Sequence, residues 1–174
     1  MSLTSTTMNL AQFGLSALPA IPAEKRPALP GWREYQKRLP TEEETRRWFA
    51  RAEGVCLVCG AVSGNLEMLD FDNRGELFAP WWEKVEAARP GLFDRLVVEQ
   101  TPSGGYHVAY RSAECVPGNQ RLAQRAVRCD GPEEVEIGGK RYVPRRDGER
   151  WELTVTLIER RGEGGLFLCD RTPG

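Results

Sequence analysis

Leu66-Glu67-Met68-Leu69-Asp70-Phe71-Asp72 is an apolar run that ends in two carboxylates spaced two residues apart. Strand side chains alternate between faces, so a strand here sets Asp70 and Asp72 on the same face. Two like charges held side by side repel, and folding gains nothing from placing them there. A divalent cation removes that repulsion, and hard carboxylate oxygens suit Mg2+ or Mn2+. The competing reading is a pair of solvated acids where a strand runs into the loop Asn73-Arg74-Gly75. The segment alone leaves both open.

The chain has 174 residues, enough for one domain, or a domain with an appendage, around a real core. With 24 Lys and Arg against 25 Asp and Glu, its net charge is −1, which excludes a bulk polycation that coats nucleic acid. Any such contact must use a local basic patch. Arg121/Arg125/Arg128 and Lys140/Arg141/Arg145/Arg146 are candidates, although solvated loop charge explains them equally well. No apolar run is long enough for a transmembrane helix. No basic segment followed by an apolar one marks a secretory leader. The expectation is a cytoplasmic protein with no membrane partner.

Five cysteines are irregularly spaced, and Cys56 and Cys59 form a CxxC that invites a zinc or redox reading. They lie in Val55-Cys56-Leu57-Val58-Cys59, which reads as a buried strand. Residues i and i+3 of a strand face opposite sides, so the two thiols could not share a metal there. Buried, reduced thiols acting as small apolar side chains are the better reading.

A weak helical pattern covers residues 9–18, and a proline-studded loop covers 21–32. Thr41, with acids at Glu42, Glu43 and Glu44 and arginines at Arg46 and Arg47, is a strong helix start with a capping box. Strands are expected at 55–59 and 66–71, then an amphipathic helix over 76–89 stopped by Pro90-Gly91. Runs at 96–100 and 106–111 flank Thr101-Pro102-Ser103-Gly104-Gly105, a hairpin signal. Residues 118–122 read as a polar loop, and short β-type segments follow at 134–137, 141–143, 151–158 and 166–168. Helices early and hairpins late fit an α+β architecture with a mixed or antiparallel sheet better than regular βαβ winding.

Two further segments carry chemistry. The only histidine, His107, follows Ser103-Gly104-Gly105-Tyr106. The glycines let backbone approach a bulky ligand, and Ser103 and His107 could both reach a phosphate over the hairpin. The alternative is a tight turn before a histidine satisfied in the sheet. Leu157-Ile158-Glu159-Arg160-Arg161-Gly162-Glu163-Gly164-Gly165 again ends a strand in an acid, with guanidinium and glycine beside it. A third carboxylate beside Asp70 and Asp72 would complete a two-cation site, and a spare arginine could pair with phosphate. An ordinary charged hairpin is the other reading.

The order Asp-x-Asp, Ser-Gly-Gly-x-His, acid-x-Arg-Gly-x-Gly-Gly resembles the archaeo-eukaryotic primase superfamily. Within it, the chain is similar to the bifunctional primase–polymerase branch fused to helicases in plasmid and phage replication proteins. The likeness extends over residues 25–32, 60–72, 101–110, 118–124 and 157–174. It implies an α/β unit joined to an RNA-recognition-motif-like sheet with flanking helices. It implies a template-dependent nucleotidyltransferase that joins (d)NTPs on single-stranded DNA with Mg2+ or Mn2+. By the same resemblance Asp70, Asp72 and Glu159 are the metal-binding, catalytic acids. His107 contacts the nucleotide's phosphates, with Ser103 and Arg161 assisting. A fused or associated helicase and the replication of a mobile element are implied too.

The chain departs from that pattern twice. Residues 132–152 are longer than the branch usually shows and read as an inserted hairpin. The chain stops at Thr172-Pro173-Gly174 where relatives continue, so residues 1–174 are expected to be a single catalytic domain truncated at its C-terminus. A non-catalytic nucleotide- or nucleic-acid-binding relative of the same fold is the alternative function. A nuclease or topoisomerase-type acidic site would place the lone glutamate before the Asp-x-Asp. A glycosyltransferase would not need the Ser-Gly-Gly-x-His hairpin.

Overall fold

The computed structural model describes residues 2–169; residues 170–174, the last of the third motif segment, lie outside the described residues. The chain opens with α1 (Leu3–Gln12), β1 (Ala17–Ile21), β2 (Arg26–Pro27), α2 (Glu42–Phe49), β3 (Gly54–Val58) and β4 (Leu66–Phe71). Then come α3 (Phe78–Ala88), β5 (Val97–Gln100), β6 (Tyr106–Arg111) and β7 (Gln120–Cys129). The last elements are β8 (Val135–Ile137), β9 (Lys140–Tyr142), β10 (Arg145–Asp147), β11 (Arg150–Arg161) and β12 (Leu166–Cys169). Helices and antiparallel strand pairs together give the α+β class that the sequence predicts.

Two compact units emerge. Among the described residues, the first holds 2–68, 109–119 and 161–169, and the second 69–108 and 120–160. A four-stranded sheet of order β12-β3-β1-β2 belongs to the first. Its centre, β3, is buried along its whole length and pairs antiparallel with both β1 and β12. Apolar alternation along this strand feeds two layers: Val55, Leu57 and Cys59 join Phe49, Leu66, Met68 and Phe167, while Cys56 and Val58 join Leu18, Ala20 and Tyr35. Cys56 and Cys59 thus sit in different layers, as the i, i+3 argument requires. Burial pushes both thiols up to about 12, leaving them protonated and inert.

The capping box opens α2 as expected. Thr41 Oγ1 accepts from the Glu44 N–H at 3.2 Å, and Glu44 Oε2 accepts from the Thr41 N–H at 2.8 Å. Arg38 adds two bonds of 2.8 Å to the same carboxylate, and the Tyr35 hydroxyl donates a third of 2.8 Å. The first helix departs from the expected 9–18. It begins at the Ser2 cap and stops after Gln12, with Gly14 in the left-handed region at φ +70°. Leu18 lies instead in β1, because residues 17–20 are buried in the sheet. Tertiary burial there overrides a weak helical period.

The second unit is built on strands in the order β10-β11-β4-β6-β5, with β7 paired to β11. Leu153, Val155 and Leu157 of β11 form its core with Leu77, Ala123, Val127, Val135, Ile137 and Tyr142 around them. The segment expected as a polar loop at 118–122 runs from Gln120 into ten residues of strand, antiparallel to β11. Five of its ten side chains are polar and most are exposed, while Ala123, Val127 and Cys129 on one face pack against the β11 core, so its sheet membership comes from the ladder to a long partner and from that sparse apolar face. Residues 132–152 form two hairpins, β8–β9 and β10–β11, turning at Gly138-Gly139 and Gly148 in positive φ. On α3, Phe78, Trp81 and Trp82 pack on Phe71, Tyr106 and Phe93, with Phe78 stacked on Tyr106 at 3.9 Å between centroids.

Candidate functional site

The end of β4 lies in the second unit. Phe71 is fully buried, meeting Phe78 and Trp81 at 5.4 and 4.9 Å. Asp72 continues in extended backbone (φ −75°, ψ −176°). Asp70 and Asp72 therefore project from the face opposite Phe71. Both are mostly shielded, with side chains 18% and 19% exposed. The Asp72 N–H donates to the Leu157 carbonyl of β11 at 3.0 Å, anchoring the strand end.

Each carboxylate has a basic neighbour. His107 Nε2 of β6 lies 3.8 Å from Asp70 Oδ1. Lys140 Nζ of β9 lies 2.5 Å from Asp72 Oδ1. After Asp72 the chain takes Asn73, Arg74 and Gly75 through successive left-handed conformations, φ 52°, 59° and 69°. Asparagine and glycine adopt this region readily, whereas arginine adopts it at some cost. Gly75 is required there, since a Cβ would stand 2.6 Å from the Tyr106 ring. Asn73 bonds to Glu76, whose other oxygen accepts from Arg125 Nη1 at 2.7 Å.

The hairpin that carries His107 is held by Thr101. Its N–H donates to the Gly105 carbonyl at 2.9 Å, and its Oγ1 accepts from the Gly105 N–H at 3.0 Å. Ser103 Oγ lies 3.1 Å from Thr101 Oγ1 and is exposed at the tip. Gly105 presses on β4 itself: a Cβ there would lie 2.4 Å from the Phe71 carbonyl oxygen. The Ser-Gly-Gly-x-His motif thus has a steric content at its second glycine, which lets β6 close on the acid-bearing strand.

Asp70, Asp72 and His107 are therefore brought together. Glu159 lies on β11, opposite Arg121 of β7 in the register. Among the described residues, no group of three or more His, Cys, Asp or Glu side chains is drawn together to hold a metal ion. Arg161 belongs to the first unit, where its charge acts on the Cys59 thiol. Of the basic clusters, Arg125 pairs with Glu76, Arg141 with Glu134 at 3.5 Å, and Lys140 with Asp72. No sequence pattern marks Thr101 as the brace of the hairpin or pairs Lys140 with Asp72. Lys140 stood out only as one of four nearby basic residues, and nothing local pointed to an acid 68 positions away.

An α+β chain whose paired strand-end acids adjoin a histidine hairpin has the frame of the nucleic-acid-synthesising domains that its motifs resemble. Residues 7–169 match the family model described as bifunctional DNA primase/polymerase, N-terminal, and the chain belongs to that family. The family is one of replication primases and polymerases, with a DNA template and nucleotides as substrates and divalent metals as the usual requirement. No curated protein matches the chain. Among the described residues, no helix is long and apolar enough to cross a membrane.

Proposed function

We propose that the chain is a template-dependent nucleotidyltransferase that makes or extends primers from (d)NTPs on single-stranded DNA. The observation that carries this reading, beside family membership, is the same-face Asp70/Asp72 pair with His107 3.8 Å from Asp70. The donor set fits a hard divalent cation, Mg2+ or Mn2+, because two mostly shielded carboxylates on one strand end offer hard oxygen ligands. Asp70 and Asp72 would hold it, with Glu159 as the third acid. A bound cation supplies Lewis-acid stabilisation of the phosphates and activation of the attacking 3′-hydroxyl.

The chain's own residues orient the substrate. His107 bonds the phosphates from β6, and the Gly105 contact keeps that strand at a fixed spacing from the acids. Ser103 and Arg161 are proposed as further phosphate contacts on their motif positions alone. A fused or associated helicase and a mobile-element setting complete the reading.

A second reading, a non-catalytic binder of nucleotide or nucleic acid, is favoured by one observation: Asp72 is ion-paired to Lys140. The experiment that separates them supplies single-stranded template, labelled nucleotide and Mn2+ or Mg2+, and follows both binding and incorporation. Incorporation lost in Asp70→Asn supports the enzyme. Nucleotide binding with no incorporation under any metal supports the binder.

A further inference from the structure

We propose that Lys140 is a resident counter-cation of the metal site, and that a divalent ion loads at Asp72 only by displacing it. This rests on the reading of Asp70 and Asp72 as metal ligands given above. Lys140 Nζ reaches Asp72 Oδ1 at 2.5 Å, the direction from which a cation would neutralise that acid. The ammonium does for Asp72 what a metal would do, removing the cost of two like charges on one strand face, and it cannot share the same oxygen with a second cation without repulsion.

The β8–β9 hairpin holds it there. Its turn, Gly138-Gly139, lies against the residue after the acid, since a Cβ on Gly138 would stand 2.1 Å from Asn73 Oδ1. Val135, Ile137 and Tyr142 root the same hairpin in the β11 core. The lysine is therefore carried on a packed element, not on a free loop. Its side chain is nevertheless 44% exposed, so it can swing to solvent without unfolding the hairpin. Once displaced, the ammonium stands beside the site with a positive charge and no partner on Asp72, suited to an oxygen of the incoming triphosphate. Metal and nucleotide then bind cooperatively, because the first frees the group that the second uses.

The test measures Mn2+ binding directly, by the loss of the free-ion electron paramagnetic resonance signal, without any turnover. Lys140→Met keeps the length and removes the charge, and Lys140→Arg keeps the charge. Lys140→Met should bind Mn2+ roughly two- to fivefold more tightly than the parent, the scale of a partly exposed ion pair. Lys140→Arg should stay near the parent. In the parent, Mn2+ should raise acetylation of Lys140 severalfold relative to Lys37, read by peptide mass spectrometry, as the ammonium leaves its acid. Equal Mn2+ affinity in the parent and Lys140→Met, with binding lost in Asp72→Asn, overturns the displacement while the metal reading stands. Unchanged Lys140 acetylation on Mn2+ binding also overturns it. No Mn2+ binding in any form removes both.

Discussion

Gly105→Ala tests whether the spacing between β6 and the acid-bearing strand is set by one missing side chain. A Cβ at this position would lie 2.4 Å from the Phe71 carbonyl oxygen and 3.2 Å from Thr101 Oγ1. Carbon and oxygen in contact prefer roughly 3.3 Å or more, so β6 and the end of β4 must part by close to an ångström. The obstructing atom is backbone, flanked by Asp70 on one side and the anchored Asp72 N–H on the other. It cannot turn aside as a side chain could. Overpacking of this kind costs about 1–3 kcal/mol, a fall in melting temperature of about 2–12 °C for a chain of this size. The same movement lengthens the 3.8 Å approach of His107 to Asp70, so incorporation should fall more than the lost stability accounts for at a temperature where both forms are folded. Gly31→Ala is the control, because nothing lies within 4 Å of a Cβ there and its φ is −105°. Thermal unfolding and primer extension on the parent and both variants decide it. If Gly105→Ala melts and works like Gly31→Ala, the steric account of the motif's second glycine is wrong.

Asp70→Asn or Asp72→Asn should abolish metal-dependent incorporation with the fold intact by circular dichroism; retained incorporation in either removes the paired-acid mechanism. His107→Ala should weaken triphosphate binding by about 1.5–3 kcal/mol, the range for a hydrogen bond to a charged group, and leave nucleoside binding unchanged. Arg38, bonded to Glu44, holds that carboxyl well below its ordinary 4.5. A depressed carboxylate contributes stability that is full above its unfolded value and is lost as pH falls. Unfolding scans below about pH 4.5 should therefore show a loss that Glu44→Gln flattens; parallel pH profiles would count against the network. Tyr35 has the opposite sign: burial and then its bond to Glu44 push it up to about 12 from 10.0, so its contribution is full below pH 10 and fades toward pH 12. With a thiol reagent, exposed Cys115 should react in the native protein, while Cys56 and Cys59 react only on unfolding.

Lys140 has a consequence for how activity is measured. If Asp72 must exchange an ammonium for a metal, low metal concentrations would leave incorporation weak for a reason unrelated to the catalytic acids. A titration to high Mn2+ separates a weakly loading enzyme from a binder.

The features legible in the sequence are those whose physics is local. Alternation sets Asp70 and Asp72 on one face and splits Cys56 from Cys59 between two layers. The Thr41 cap forms because its partners lie three residues away. The turn residues of 101–105 mark the hairpin because each acts on its own backbone. The features that only the tertiary structure decided depend on groups far apart in the chain. Leu18 is a strand residue because β3 lies beside it, and residues 120–129 are a strand because β11 offers a long partner. Gly105 matters for the carbonyl of Phe71, and Lys140 for a carboxylate 68 residues earlier. No periodicity or propensity records such pairs, since a side chain's sequence neighbours set its backbone preference but the folded sheet sets what its charge or volume meets.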